Sequence, residues 1–585
     1  MHSVSILSRP GTQPRSPDAS DPARIRLPWH PLPPWRQGGP GAIRLAAALA
    51  GLAVIITYLV IALSRLTYPF TVEWLESNSL VEVHRILAGQ PLYAAPTAGY
   101  VPDGYPPLYF AVSAAAASVL GVSYLPLRLV SLVSSLFCFA VLGRLVQRET
   151  GSAAAGTAAA GVFASVYFAT HTWFDVGRVD SLFLALSIGG LYAARWMSRT
   201  RGAIACGALL AATYSATGTW FDVGRVDSLF LALSVAGLYA ARWACRTRGA
   251  IAAGLLLGAA FLTKQSALAE GVVVLAAMAA GPRRRLAVPA AVTYATVVGG
   301  STLVLELTSH GWYIYYIFEQ MSQHALSASI ARQFWVTELL PTLGIAICAV
   351  LLGARRIPLV LLAGCGALTV ESFAARAQTG SNLNDLLPAY LAVAVLAGLA
   401  MGGLPRWRPS PGGRWIPVAV SGLVLVQIGV LAGGFRLSQA FPPNADRLAN
   451  QRLVAAARAL GGTVAIPADP EIAVTAGLPP TEDMVAAADV LRAKDQGPKN
   501  IFMTSLTRDL VTQRFSGIIT EFHGDLRGFR MDLLPRYYHR CPQTPLDGVL
   551  SVPFSANASA LPVTVWLPVG HGLSCAAVVR ILESQ

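Results

Sequence analysis

The chain has 585 residues, of which 54% are apolar and only 13% charged, with a mean hydropathy of +0.53. A soluble globular chain carries about a quarter charged residues, so this composition excludes one and predicts a polytopic membrane protein. The 44 basic residues exceed the 30 acidic ones by 14, but membrane proteins keep such an excess in cytoplasmic loops, which argues for a bilayer and against a nucleic-acid partner.

Residues 1–42 are rich in Pro, Ser, Gly and Arg and have no apolar run beside Met1. They are expected to form a disordered cytoplasmic tail, not a cleaved signal peptide. Long apolar stretches then begin near Leu45, Leu127, Ala153, Val179, Gly202, Val226, Gly249, Leu268, Leu286, Leu339, Leu359, Leu386 and Ile416. Each is roughly long enough to cross a bilayer, which predicts a mainly α bundle of about thirteen spans over residues 43–435. With the tail inside, Arg144/Arg148, Arg195/Arg199/Arg201, Arg242/Arg246/Arg248, Arg283 to Arg285, Arg355/Arg356 and Arg406/Arg408/Arg414 all fall on the cytoplasmic side, as the positive-inside rule requires.

The first outer loop, residues 66–126, carries Glu73, Glu76 and Glu82, then Tyr100, Asp103 and Tyr105-Pro106-Pro107-Leu108-Tyr109. An acidic pair just past a span, followed by a helix with Leu80, Val83 and Leu87 on one side, suits a carboxylate held at the membrane surface; a solvated loop end is the plain alternative. The apolar run Leu108 to Leu120 is about 13 residues long, short for a crossing, and is expected to be a juxtamembrane helix at the outer interface.

Thr172 to Arg201 recurs at Thr219 to Arg248 with 26 of 30 positions identical, at an offset of 47 residues. Units 172–218 and 219–265 are thus tandem hairpins, each adding two crossings and leaving later segments' orientation unchanged. The repeated FDVGRVD puts Asp175, Arg178 and Asp180, and again Asp222, Arg225 and Asp227, at the outer end of a span. Charges at that depth bind something or pair with one another.

Only three of the 44 basic residues are lysines, Lys264, Lys494 and Lys499. Lys264, with Gln265 in FLTKQS, ends a span on the outer face, where an ammonium suits a phosphate; a snorkelling anchor is the plain alternative. Two later outer loops, Gly311 to Ser327 and Ala375 to Pro388, offer an aromatic stretch able to flank a lipid chain with His324, and polar groups in Asn382, Asn384 and Asp385. No HExxH, paired CxxC or GxxxxGK occurs, so no metal ligands are assigned and direct use of ATP or a nucleotide sugar is disfavoured.

Residues 436–585 read as a small extracytoplasmic α/β domain, with strand-like Thr463 to Ile466, Ile501 to Thr504 and Gly517 to Glu521 and a helical Asp446 to Leu460. Beyond Arg436 it carries 13 acidic and 13 basic residues, so the net charge of +14 belongs to the membrane part and the N-terminal tail. Cys541 and Cys575 in this region are either disulfide-bonded or free thiols.

The order of these features, an acidic first loop with GQPLY and YPPLYF, then RLVSLVSSL, FDVGRVDSLFLALS, FLTKQS and a GSNLN loop, resembles the GT-C superfamily of polyprenyl-phosphate-dependent membrane glycosyltransferases. Its bacterial members include the lipid A aminoarabinose transferase, the rhizobial galacturonosyltransferases and the protein O-mannosyltransferases. The likeness spans roughly residues 45 to 435. It implies sugar transfer, with inversion, from a polyprenyl-phospho-sugar donor to an extracytoplasmic acceptor at a bacterial cytoplasmic membrane, with Lys264 contacting the lipid phosphate. The family's catalytic Asp-Glu pair falls on EWLE, where Leu75 takes the Asp position, leaving Glu76 as the acid and Glu73 as its substitute. No cofactor is assigned; a divalent cation is compatible with the family. A transporter or lipid flippase, with membrane carboxylates relaying ions, is the main competing reading, and a non-catalytic scaffold the second.

Overall fold

The computed structural model describes residues 39–72, 75–169, 246–262, 264–282, 284–353, 357–381, 383–403, 415–435, 437–520, 532–543, 563–570 and 574–583. Helices dominate: α1 (Gly39–Arg65), α2 (Leu75–Leu87), α3 (Leu108–Leu120), α4 (Tyr124–Thr150), α5 (Ala153–Ala169), α6 (Thr247–Phe261), α7 (Ala267–Ala280), α8 (Ala287–Thr308), α9 (Leu340–Gly353), α10 (Leu359–Arg376), α11 (Leu387–Gly403) and α12 (Ile416–Gly433). Among the described residues, six helical segments are long and apolar enough to cross a membrane, α1, α4 and α10 being three of them; α5, α6, α7 and α11 are shorter apolar helices. The chain is a multi-pass membrane protein. Ten of the thirteen expected spans coincide with these helices, and those near Val179, Gly202 and Val226 lie outside the described residues.

The bundle core lies where α1, α4, α5, α9, α11 and α12 meet. Small residues let the helices approach: a Cβ on Gly161 of α5 would stand 2.1 Å from Gly51 Cα of α1. This is the close backbone packing that replaces hydrophobic drive between helices in lipid. About two turns further along α1, Tyr58 packs edge-on to Phe139 at 5.4 Å and Tyr167 at 4.9 Å.

Residues 444–583 form an α/β unit whose sheet runs β1 (Thr463–Ala465), β2 (Phe515–Thr520), β4 (Thr564–Pro568), β3 (Tyr538–Arg540), with β1 parallel to β2 and the other pairs antiparallel. Its helices are α13 (Asn444–Leu460), α14 (Glu471–Thr475), α15 (Met484–Arg492), α16 (Gln496–Val511), a single turn at Leu534–Tyr537 and α17 (Cys575–Glu583). The expected strand at Ile501 to Thr504 is instead the middle of α16. Asp495 caps that helix by accepting from Gly497 N, and buried Phe502, Leu506 and Leu510 recur every four residues, a helical period that outweighs a short β-prone run. Cys541 and Cys575 are bonded, tying the end of β3 to the start of α17. The bond uses both sulfurs of the group His539, Cys541 and Cys575, which otherwise has the spacing of metal ligands.

The α/β unit is docked on the first loop. Leu80 and Val81 of α2, Tyr109 of α3, Tyr316, and Ala486, Val490 and Phe502 of the unit share one apolar cluster, and α2 is buried at every position from Glu76 to Val83. Leu87, expected on the packed side, is 41% exposed, because α2 leaves the interface at its last turn.

Candidate active site

Distant segments converge where α6 turns into α7. Lys264 N donates to Ala260 O at 3.0 Å, closing α6, and Ala267 N donates to Lys264 O at 3.1 Å, opening α7. The three side chains of this turn point to three different partners. Lys264 Nζ reaches Asp385 Oδ1 at 3.3 Å. Gln265 Nε2 donates to the Gly104 carbonyl of the first loop at 3.3 Å, and Ser266 Oγ donates to Glu371 Oε1 of α10 at 2.6 Å. Asp385 lies on the 3-10 turn Leu383–Leu386, and the hydroxyl of Ser372 donates to its carbonyl.

Gly104 is the meeting point of the first loop with the segment after α8. A Cβ there would lie 2.8 Å from Met321 Cε and 3.4 Å from Gln320 Oε1, so glycine lets the loop lie flat against this segment. The segment contains a π-helical turn, Tyr315–Glu319, an irregularity frequent at functional sites. Tyr105, next to Gly104, is half-buried, and its carbonyl accepts from Tyr93 Oη at 3.0 Å. The aromatic residues expected to flank a lipid chain are mostly covered by the first loop: Tyr313, Tyr315 and Tyr316 are buried, and Tyr316 Oη donates to Ala94 O at 3.1 Å.

Glu76 is fully buried and bonded at both oxygens. Arg128 of α4 donates from Nε to Oε1 at 3.0 Å and from Nη2 to Oε2 at 2.7 Å, and Val72 N donates to Oε2 at 2.8 Å. The same guanidinium donates to the carbonyls of Arg65, Tyr68 and Phe70. This planar, five-donor fork thus locks the whole α1–α2 connection. Glu73 lies outside the described residues.

Glu82, six residues on, is a first-loop carboxylate to which the sequence assigned no role in the site. Its Oε1 accepts from Asp103 N at 2.9 Å and lies 3.5 Å from Tyr100 Oη, while Oε2 has no hydrogen-bond partner among the described residues. Burial, and then the nearby Asp103, push Glu82 well above the usual carboxylate range. The available signal was its place between Val81 and Val83, on the packed side of the helix. Two further carboxylates, Glu270 of α7 and Glu371 of α10, gave no signal in the sequence. Both are buried, and neither oxygen of Glu270 has a partner among the described residues.

The convergence therefore includes Tyr105, Lys264, Gln265 and the turn that carries Asn384. His324 stands elsewhere, its Nε2 3.4 Å from the Asp489 carbonyl of the α/β unit, where it contributes to docking. Asp175, Arg178, Asp180, Asp222, Arg225, Asp227, Asn382 and the side chain of Asn384 lie outside the described residues.

No family model matches the chain, and no curated protein matches it. Among solved structures it is similar to ArnT from Cupriavidus metallidurans bound to undecaprenyl phosphate, with a TM-score of 0.52 and 14% identity over 88% of this chain and 97% of that one. The apo state of the same protein gives a TM-score of 0.53 at 13% identity with the same coverage. The archaeal oligosaccharyltransferase AglB from Archaeoglobus fulgidus, in complex with an inhibitory peptide and a dolichol-phosphate, matches at a TM-score of 0.46 and 12% identity over 84% of this chain and 73% of that one, a level that carries no argument. Identities this low speak to architecture alone, and the architecture is GT-C-like.

Proposed function

We propose that the chain is an integral membrane glycosyltransferase that moves a sugar from a polyprenyl-phosphate donor to an acceptor on the outer face of a bacterial cytoplasmic membrane. One observation carries the reading. Within a GT-C-like bundle, the first loop, the Lys264 turn and the Asp385 turn come together around a lysine in a chain that otherwise favours arginine.

Lys264 takes the donor phosphate as a compact, multi-donor charge and stabilises the negative charge that gathers on it as the glycosidic bond breaks. Tyr105 and Gln265 flank the sugar. Glu76, enclosed by Arg128, acts by fixing the loop, and Glu73, three residues earlier in the sequence, takes the role of base toward the acceptor. The FDVGRVD charges, Asn382 and Asn384 complete the polar lining. ArnT was solved with undecaprenyl phosphate bound, which supports a polyprenyl phosphate as the first donor carrier to test.

A transporter or flippase is the second reading, favoured by Glu270 and Glu371, which are buried between apolar helices where ionisable groups are expensive. One experiment separates the two. The purified protein is mixed with a polyprenyl-phospho-sugar and candidate acceptors, and release of free polyprenyl phosphate is followed by mass spectrometry. Release that Glu73→Gln abolishes supports the transferase. Unchanged donor together with lipid movement across proteoliposomes supports the flippase.

A further inference from the structure

Ser77, the residue after Glu76, is where the α/β unit grips α2. Its hydroxyl donates to Asp469 Oδ1 and accepts from Glu471 N at 3.0 Å. Asp469 and Glu471 are only 1% and 8% exposed. Asp469 Oδ2 and Glu471 Oε2 have no hydrogen-bond partner among the described residues, while Glu471 Oε1 accepts from Thr475 Oγ1 at 3.0 Å. Two carboxylates are thus closed into the seam between a membrane-surface helix and the unit that covers it.

We infer that Asp469, bonded to Ser77, and Glu471, whose backbone N–H donates to Ser77, are positioning residues that hold α2 and the Glu76–Arg128 pair in place, and that the enclosure of their two carboxyl groups in the seam makes this docking loosen as they ionise. The inference rests on the reading of the first loop as part of the active site. The charged and titratable groups around the seam are Glu76 on α2, Tyr124 and Arg128 on α4, Tyr68 in the α1–α2 connection, and Asp446, Arg447 and Arg458 on α13. Among the described residues, none of these arginines pairs with either carboxylate. Burial, relieved in part by the Ser77 hydrogen bond, pushes Asp469 up to about 7, with the Glu76 charge adding to the rise. Burial, relieved in part by Thr475 and reinforced by Asp469, pushes Glu471 up to about 8.

Both groups therefore hold protons more tightly when docked than when released. Docking is unopposed below their ordinary values near 4, weakens through the interval above, and stops changing once pH passes about 7 for Asp469 and about 8 for Glu471. Within that interval each unit of pH lowers the docking equilibrium by up to about tenfold per group.

The test is hydrogen exchange on the full chain in lipid nanodiscs, corrected for the intrinsic pH dependence, with residues 75–87 and 466–477 followed from about pH 5.5 to 8.5. Wild type should show opening of both segments that increases with pH. Glu82 in α2 titrates in the same direction, so the comparison is made in a Glu82→Gln background, where adding Asp469→Asn/Glu471→Gln should make the profile of both segments markedly shallower. A flat wild-type profile, or a slope that the two added replacements leave unchanged, overturns the inference. The wild-type arm needs no variant to fold. Where turnover is measurable, positioning requires kcat to fall over the same interval with the donor KM unchanged; a change confined to KM overturns it. Exchange is read without substrate, so failure to find glycosyl transfer would sink the functional reading while leaving the pH-dependent grip to be judged separately.

Discussion

Lys264 and Asp385 stand 121 residues apart in the chain, and their charged groups meet at 3.3 Å, with side chains only 7% and 15% exposed. An ion pair this enclosed is a resident contact that an incoming phosphate must share or displace.

Lys264→Met should therefore weaken binding of undecaprenyl phosphate by about tenfold to a hundredfold, the worth of a charge-assisted hydrogen bond to phosphate. Asp385→Asn, which keeps the shape and removes the competing charge, should tighten binding several-fold. Titration of the detergent-solubilised protein with the lipid reads both. Equal affinity in wild type and Lys264→Met would remove the lysine from the phosphate site.

The Glu76–Arg128 pair leads to a stability prediction. Removing one partner leaves a buried charge uncompensated, so Arg128→Met should cost about 3–5 kcal/mol, read as a lower unfolding temperature. The double replacement Glu76→Leu/Arg128→Met should recover only part of this. It removes both charges, but it also strips the carbonyls of Arg65, Tyr68 and Phe70 of their donor. Full recovery would show that those carbonyls find other partners and that the guanidinium is not the lock on the α1–α2 connection.

The sequence made the apolar helices and their order legible, because twenty-residue apolar runs have few alternatives in a bilayer. Lys264 was legible too, as a rare residue type at a helix end. Arg128 was not, since it sits inside an apolar run and its partner lies 52 residues away; nothing in local periodicity links the two. The docking of the α/β unit was invisible for the same reason. Ser77 and Asp469, or Ala98 and Ser505 with 3.2 Å between Ala98 N and Ser505 Oγ, are ordinary surface-type residues until the fold brings them together. Strands β3 and β4 were missed because Tyr538–Arg540 carries two exposed polar residues after its buried tyrosine and Thr564–Pro568, though buried throughout, ends on a proline that reads as a break.

Glu82 leads to a pH prediction of known sign. Its carboxyl is held well above the ordinary range by burial and by Asp103, so the folded state favours the protonated form. Stability is fully present below the ordinary value near 4.5 and is lost as pH rises above it. Glu82→Gln preserves an oxygen acceptor for Asp103 N and removes the titration. Its unfolding temperature should match wild type near pH 5 and exceed it at pH 8, the gap opening by up to about 1.4 kcal/mol per pH unit. A gap that shrinks as pH rises would mean that Glu82 is ionised in the fold.

Two glycines test whether the bundle is held by close backbone approach. Gly161 faces Gly51 so tightly that an added Cβ would sit 2.1 Å from a Cα, and no side-chain rotation relieves a clash with backbone. Gly161→Ala must therefore spread α1 and α5, at a cost of about 1–3 kcal/mol or more, as in overpacked cores. Gly299 lies in α8, where an added Cβ would have nothing within 4 Å, and there the same substitution adds no clash and removes the backbone freedom that makes glycine a poor helix former. Gly299→Ala should be neutral or stabilising by up to about 1 kcal/mol. Thermal unfolding of the two single variants decides it. Similar behaviour at both positions would mean that α1 and α5 can slide apart without loss, and that the bundle draws its stability from elsewhere.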